Sequence, residues 1–444
     1  MEFKLYGAFL NIISFPVNMT NNKVFYFKGI LSILAILILS YNFYIAISQK
    51  YEAAGDASSF IGLGFSLAKT GKYGQVEGLE NGVIKAFENK NIPDQVSFGN
   101  HSTWRPPVWP FLIAGIFLIV GYNLTYILIL KFLLHLLGIF IFYKTLKLLK
   151  LREILIILGS FLYAISPAWQ LYSRVFLSEP ITFFFMTLWI YLIIRYIQLK
   201  KGFIWQSIFA GIMILTHPYY IFLPFSVWLL FFINRQFTFK KLFLSSLICT
   251  AIVSSWVIRN SIALDTNQLV LTTSSGAVMA KGWNKDVIKE HTNTQGDLAN
   301  EGLVLHNFEA VDKYGNNEVA RMQRYKDASM YFIKQNPDLI LPIIGRKLLS
   351  AFNPFPETSK PGIIETGRSI FHFLALMALI YILIFSRNKV MQSLALGLIL
   401  ATVAITILTY SGFRFRMPQA GLELLLIIFT VHDVIRRRIH KTSF

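Results

Sequence analysis

A helix needs about 20 consecutive apolar residues to cross the hydrocarbon core of a bilayer. This chain repeats that pattern ten times, over residues 24–47, 122–146, 153–170, 179–198, 202–218, 219–234, 242–258, 368–386, 390–410 and 417–435. The repetition decides the fold class before any motif is considered. Of the 444 residues, 55% are hydrophobic and only 15% are charged, and the mean hydropathy is +0.53. A soluble fold could not cover that much apolar surface. The chain is therefore expected to be an all-α polytopic membrane protein with about ten transmembrane helices. Its first apolar segment is too long for the h-region of a signal peptide and reads as a retained anchor.

Charge orients these segments. Lys4, Lys23 and Lys28 precede the first. Lys144, Lys147, Lys150 and Arg152 separate the second from the third, and Arg195, Lys200 and Lys201 the fourth from the fifth. Arg235, Lys240 and Lys241 follow the sixth, Arg387 and Lys389 the eighth, and Arg436, Arg437, Arg438 and Lys441 the tenth. A ten-span topology puts all of these on one face, so both termini are expected in the cytoplasm. The net charge of +19 is thus a topology signal rather than a nucleic-acid footprint, and the bilayer is the partner it implies. The single cysteine, Cys249, lies in an apolar segment and reads as a packing residue. No Walker A, CxxC or HExxH pattern occurs, and no organic cofactor is expected.

Three modules follow from this topology. Residues 1–258 form an N-terminal transmembrane module whose outer loop spans 48–121. Residues 259–367 form an extracytoplasmic segment, and residues 368–444 carry the last membrane helices. In the first outer loop, Ser58–Thr70 reads as a helix closed by Gly71. Phe111–Val120 is apolar but too short to span, which predicts a piece that lies in the interface or re-enters. In the later segment, Asn316–Lys334 and Leu339–Phe352 read as helices, the second amphipathic, packed as a partial lid on the membrane part.

The opposite face collects polar residues where positive-inside bias should remove arginine. It presents Glu52, Asp56, Arg105, Arg174, Glu179, His217, Arg259, Arg414 and Arg416. Arginine offers planar, bidentate recognition of phosphate, and carboxylates beside it fit a base working next to a bound phosphate. Each residue also has a plainer reading. Arginines at span ends snorkel to headgroups, Asp56 and Glu179 suit helix starts, and His217 beside Pro218 suits a broken helix end.

Several ordered motifs carry a family resemblance. They are Gly55-Asp56-Ala57 with Gly71-Lys72-Tyr73, Arg105-Pro106-Pro107-Val108-Trp109-Pro110, Trp256-Val257-Ile258-Arg259-Asn260 with Gly282-Trp283-Asn284, and Arg414-Phe415-Arg416-Met417-Pro418. Together these motifs resemble bacterial GT-C glycosyltransferases of the protein-mannosyltransferase and aminoarabinose-transferase type, glycosyltransferase family 39 and its relatives. The resemblance implies a GT-C fold with outer-face juxtamembrane helices and a small α/β extracytoplasmic segment. It implies transfer of a hexose or pentose from a polyprenyl-phosphate-linked donor to a glycan, lipid or protein acceptor on the extracytoplasmic face of a prokaryotic inner membrane. Transfer would invert the anomeric carbon. Asp56 would be the essential acid, activating the acceptor hydroxyl or organising a divalent ion. Arg105, Arg174, His217, Arg259, Arg414 and Arg416 would be the donor-phosphate residues. Ala57 follows Asp56 where many relatives carry Glu, which leaves Glu52 or Glu179 as a second acid. Asp56, Glu179 and His217 are the candidate ligands should a divalent metal bind. A transporter or flippase of lipid-linked sugars, or a non-catalytic binder of them, is the alternative class. It would need polar residues through the membrane depth, where the apolar segments carry little charge beyond Lys131 and His135.

Overall fold

A computed structural model of the protein describes residues 21–48, 55–76, 83–88, 97–289, 301–305, 313, 317–355, 362–410 and 412–442. Long apolar runs form helices because, in lipid, a segment must satisfy its backbone groups internally. Helix α1 (Asn21–Ser48) is followed by the outer-loop elements: α2 (Gly55–Thr70), strand β1 (Gly74–Val76), α3 (Val83–Glu88), strand β2 (Phe98–His101) and α4 (Val108–Val120). The membrane bundle continues with α5 (Leu124–Leu148), α6 (Glu153–Ala164), α7 (Pro167–Tyr172), α8 (Glu179–Leu199), α9 (Phe203–Thr216), α10 (Phe222–Ile233) and α11 (Phe239–Ala263). The later segment contributes α12 (Ser275–Gly282), α13 (Glu318–Gln335) and α14 (Pro337–Phe352). The chain ends with α15 (Ile363–Ile384), α16 (Lys389–Leu408), α17 (Phe413–Arg416) and α18 (Ala420–Thr442).

Seven of the described helices are long and apolar enough to cross a membrane: those at Val24–Ser48, Leu124–Leu148, Glu153–Tyr172, Glu179–Leu199, Phe239–Ala263, Ile363–Ile384 and Lys389–Leu408. The chain is an integral membrane protein, but the count of ten is not reached by length and apolarity. The segments expected at 202–218 and 219–234 are the shorter helices Phe203–Thr216 and Pro218–Ile233, broken at His217-Pro218. Proline cannot donate a backbone hydrogen bond, so the break falls where the sequence places it. The 14 residues of α9 reach only about 21 Å at 1.5 Å per residue, short of a bilayer core of about 30 Å. The segment expected at 417–435 lies in α18, which is 23 residues long but carries Glu423, Asp433 and a basic last turn. Among the described residues, sheet is limited to the antiparallel pair β1–β2 of the first outer loop. The described part of 259–367 has only helices, at Glu318–Gln335 and Pro337–Phe352 where helices were expected, together with α12 and short 3-10 turns.

One core cluster binds the bundle through Tyr163, Trp189, Trp228, Phe231, Leu394 and Leu425. A second joins the outer loop to it through Phe60, Ile61, Trp109, Ile113, Phe176 and Ile181. Trp109 Nε1 donates to Phe176 O at 2.9 Å, which fixes the start of α4 against the 173–178 connection. Gly71 ends α2 with φ +72°, as a left-handed closing residue must. Helix α1 instead turns Phe25, Ile30, Ile33, Ile36 and Leu37 outward, the composition of a surface that meets lipid.

A lysine holds the connection that leads into α8. Lys131 is fully buried on α5, and its Nζ donates to Tyr172 O at 3.1 Å, Ser173 O at 2.8 Å and Val175 O at 2.5 Å. These carbonyls belong to the end of α7 and to the connection into α8, where helix carbonyls lose their intrahelical partners. Lys131→Met should strand them and cost about 2–4 kcal/mol. Thermal unfolding of the detergent-solubilised variant should show a melting point several degrees lower, and an unchanged one would refute the brace.

Candidate functional site

Asp56 lies in the first turn of α2, where the positive end of the helix favours a carboxylate. Both of its oxygens are taken by arginine. Oδ1 accepts from Arg105 Nη2, and Oδ2 accepts from Arg414 Nη2 at 2.9 Å. Arg414 turns its other edge to a second acid, with Nε 2.8 Å from Glu179 Oε1. Residues from the first outer loop, the start of α8 and the last connection thus meet in one alternating chain, Arg105–Asp56–Arg414–Glu179. Glu179 is the first residue of α8 and its side chain is almost fully buried. Asp56, with its side chain 28% exposed, keeps an open edge.

The electrostatics follow from this packing. Burial pushes the Asp56 carboxyl up, but the charges of Arg105 and Arg414, with their hydrogen bonds, override it and hold the group at about 2. The site therefore contains an ionised acid that is a weak base while both guanidiniums stay on it.

Neighbouring elements hold Arg105 in place. Tyr73 OH donates to Arg105 O and Pro106 O, both at 3.1 Å. Arg259 lies across the Tyr73 and Trp256 rings, at 5.3 and 4.8 Å, and its Nη1 donates to Ser102 O at 3.2 Å. Glu318 of α13 is 7% exposed and accepts hydrogen bonds from neutral donors. They come from Ser102 Oγ at 2.6 Å, Thr103 N at 2.8 Å, Thr273 Oγ1 at 2.7 Å and Gln75 Nε2 at 3.3 Å. A buried carboxylate satisfied in this way ties three outer segments to the residues just before Arg105.

The last connection is braced from the other side. Arg416 is 7% exposed, donates to Asn353 O at 3.2 Å and pairs with buried Glu423 at 3.3 Å. Glu423 also accepts from His372 Nδ1 at 2.7 Å and Gln419 Nε2 at 2.8 Å. Lys347 of α14 donates to Ile407 O at 2.9 Å and Thr409 O at 2.8 Å, capping the end of α16. Gly282 approaches the same end so closely that an added Cβ would lie 1.7 Å from Thr409 O, which explains the glycine of Gly282-Trp283-Asn284.

The residues singled out from sequence therefore separate. Asp56, Arg105, Arg414 and Glu179 converge. His217 stands beside them, with its ring 5.6 Å from that of Phe415, and it feels the charges of Arg414, Asp56 and Arg105. Arg259 and Arg416 lie apart from Asp56: Arg259 donates to Ser102 O and Arg416 pairs with Glu423. Arg174 sits in the 173–178 connection and is not one of the two arginines on Asp56. Glu52 lies outside the described residues. The candidate metal set does not fit an ion as it stands, because Arg414 lies between the Asp56 and Glu179 carboxylates. No cluster of three His, Cys, Asp or Glu side chains suited to a metal occurs among the described residues. Glu318, Glu423, Lys347 and Arg321 were not singled out from sequence. Glu423 could have been found as an acid inside an apolar segment. Glu318 sits in a polar helix with no such contrast.

Residues 104–258 match the family model described as dolichyl-phosphate-mannose-protein mannosyltransferase. No curated protein matches the chain. Among solved structures, it is similar to the archaeal oligosaccharyltransferase AglB from Archaeoglobus fulgidus, in complex with an inhibitory peptide and a dolichol-phosphate. The similarity has a TM-score of 0.46 and 12% identity, over 94% of this chain and 52% of that one. The chain thus spans about half the length of that protein. The segment matching the family model includes Arg105, Arg174, Glu179 and His217, and leaves Asp56, Arg259, Arg414 and Arg416 outside it. The family match covers about a third of the chain, and the apolar helices make it an integral membrane protein.

The depressed Asp56 carboxyl sets a pH expectation. A group whose folded pKa lies below its ordinary value, about 3.9, stabilises the fold above that value and loses this as pH falls through about 2. The melting-point difference between wild type and Asp56→Asn should therefore stay flat from about pH 5 to 8 and shrink below about pH 4. A difference that changes between pH 5 and 8 would mean that Asp56 titrates there.

Proposed function

We propose that this chain transfers a sugar from a polyprenyl-phosphate-linked donor to an acceptor hydroxyl, with inversion, and that Asp56 is the base. The observation that carries the reading is the pair of arginines, Arg105 and Arg414, converging on one partly open carboxylate. Guanidiniums recognise phosphate oxygens as readily as carboxylate oxygens. A donor phosphate arriving at Arg105 and Arg414 competes with Asp56 for them. As their charge is shared, Asp56 regains basicity. It can then accept the proton of the acceptor hydroxyl while the acceptor oxygen bonds to the anomeric carbon. The bond from that carbon to the phosphate oxygen breaks, and the arginines take up the charge on the departing polyprenyl phosphate. Glu179 holds Arg414 from behind and acts as a positioning residue.

An apolar groove of about 420 Å³ supports a lipid-borne donor. It is lined by Pro107, Val108 and Phe111 of the segment after Arg105, by Ile212 and Leu215 of α9, and by Trp256 of α11. An isoprenoid chain there would enter from the bilayer with its phosphate near Arg105. The basic residues of the opposite loops favour an extracytoplasmic site with cytoplasmic termini, in a prokaryotic inner membrane. A carrier or non-catalytic binder would share the arginines but have no use for a base.

The test uses full-length protein in proteoliposomes with a radiolabelled polyprenyl-phosphate sugar. Asp56→Asn should lower transfer by about 10²–10⁴-fold while polyprenyl phosphate still binds. Arg414→Ala should weaken polyprenyl phosphate binding by at least about tenfold. Full transfer by Asp56→Asn would falsify the catalytic reading, and unchanged donor binding by Arg414→Ala would remove the phosphate assignment.

A further inference from the structure

A polar cleft of about 210 Å³ opens beside Asp56. Its walls include Ser58 and Ser59 of α2, Gln75 of β1, Trp104, Arg105, and Arg321 of α13. Three polar atoms in these walls are buried without a hydrogen-bond partner: Ser58 Oγ, Arg105 Nε and Arg321 Nε. Ser58 itself is 1% exposed. All three atoms can donate, and buried donors left unpaired call for an acceptor.

The charge in these walls is unbalanced. Arg105 is committed to Asp56. Arg321 has no carboxylate partner among the described residues, and its guanidinium lies 4.9 Å over the Trp104 ring. Glu318 is one turn earlier on the same helix, but its oxygens are engaged by Ser102, Thr103, Thr273 and Gln75. Trp104 therefore holds Arg321 at the cleft without neutralising it. The volume is below the ~300–1,000 Å³ typical of pockets for drug-sized ligands, which fits one monosaccharide residue rather than a peptide or a lipid chain.

We propose that this cleft is an acceptor subsite that selects an acidic sugar residue, one bearing a carboxylate or a phosphate, and that Arg321 binds the anion. The proposal rests on the glycosyl-transfer reading, since the cleft adjoins the turn of α2 that carries the base. Arg321 is thus a specificity residue, donating to the anion while Ser58 meets a sugar oxygen.

The experiment measures calorimetric binding of glucuronate, glucose 6-phosphate and glucose to full-length protein in nanodiscs, with polyprenyl phosphate titrated in parallel. At least one of the two anionic sugars should bind about tenfold or more tightly than glucose, and the tighter one identifies the anion. Arg321→Gln should abolish the preference and leave polyprenyl phosphate affinity unchanged, and Arg321→Lys should retain most of it. Matched thermal unfolding of the variants excludes misfolding. Equal binding of all three sugars overturns the proposal, as does a preference that survives Arg321→Gln. Loss of polyprenyl phosphate affinity in Arg321→Gln, to the extent seen in Arg105→Ala, also overturns it by assigning the cleft to the donor. Wild-type protein that fails to bind polyprenyl phosphate refutes the transfer reading instead, and the anion preference is then read on its own.

Discussion

The contact between Asp56 and the guanidiniums of Arg105 and Arg414 closes the site, and the surrounding structure serves to make it possible. The partners lie 49 and 358 residues from Asp56 along the chain. Partly buried charges cannot be left uncompensated, so the first outer loop and the last connection must meet if either is to be stable. Each arm arrives on its own support. Tyr73, Arg259 and Glu318 fix the strand leading to Arg105. Lys131 fixes the turn leading to Glu179. Lys347 and Glu423 fix the approach to Arg414. These braces are mostly single charged groups bonded to backbone oxygens or neutral donors, a pattern that fixes direction as well as distance.

Much of this was legible in the sequence because hydropathy and charge speak directly about membranes. The apolar runs form helices, α2 ends at Gly71, and the short apolar piece forms α4 at Val108–Val120. Arginines on a face that topology should clear marked Arg105 and Arg414 for attention. What the sequence could not separate was which arginine reaches the acid and which one braces it. Arg414 and Arg416 are two residues apart and look equivalent in a motif. On a short helix their side chains diverge, one to Asp56 and Glu179 and the other to Glu423. The two segments on either side of His217-Pro218 do form helices, but each falls short of the length that marks a span.

Glu179, one of the two candidates for a second acid, reaches Asp56 only through a guanidinium. Ala57 leaves Asp56 without a neighbouring carboxylate, and Glu179 meets it only through Arg414. An acid one guanidinium away cannot share a proton with Asp56, but it can hold that guanidinium still. In the same arrangement, the place between the two carboxylates is filled by a cation from the chain itself, Arg414.

The alternating chain Arg105–Asp56–Arg414–Glu179 has two positive and two negative members, and so carries no net charge at neutral pH. On the proposed reaction, that neutrality bears on turnover. A phosphodiester donor brings one negative charge, whereas the polyprenyl phosphate left behind carries about −1.5 to −2 near neutral pH. While Asp56 keeps the acceptor's proton, the arginines outnumber the ionised acids and retain the product. Once that proton escapes to water, the restored carboxylate competes for Arg105 and Arg414 and repels the more highly charged phosphate. The acid that starts the reaction would then also clear the site for the next donor.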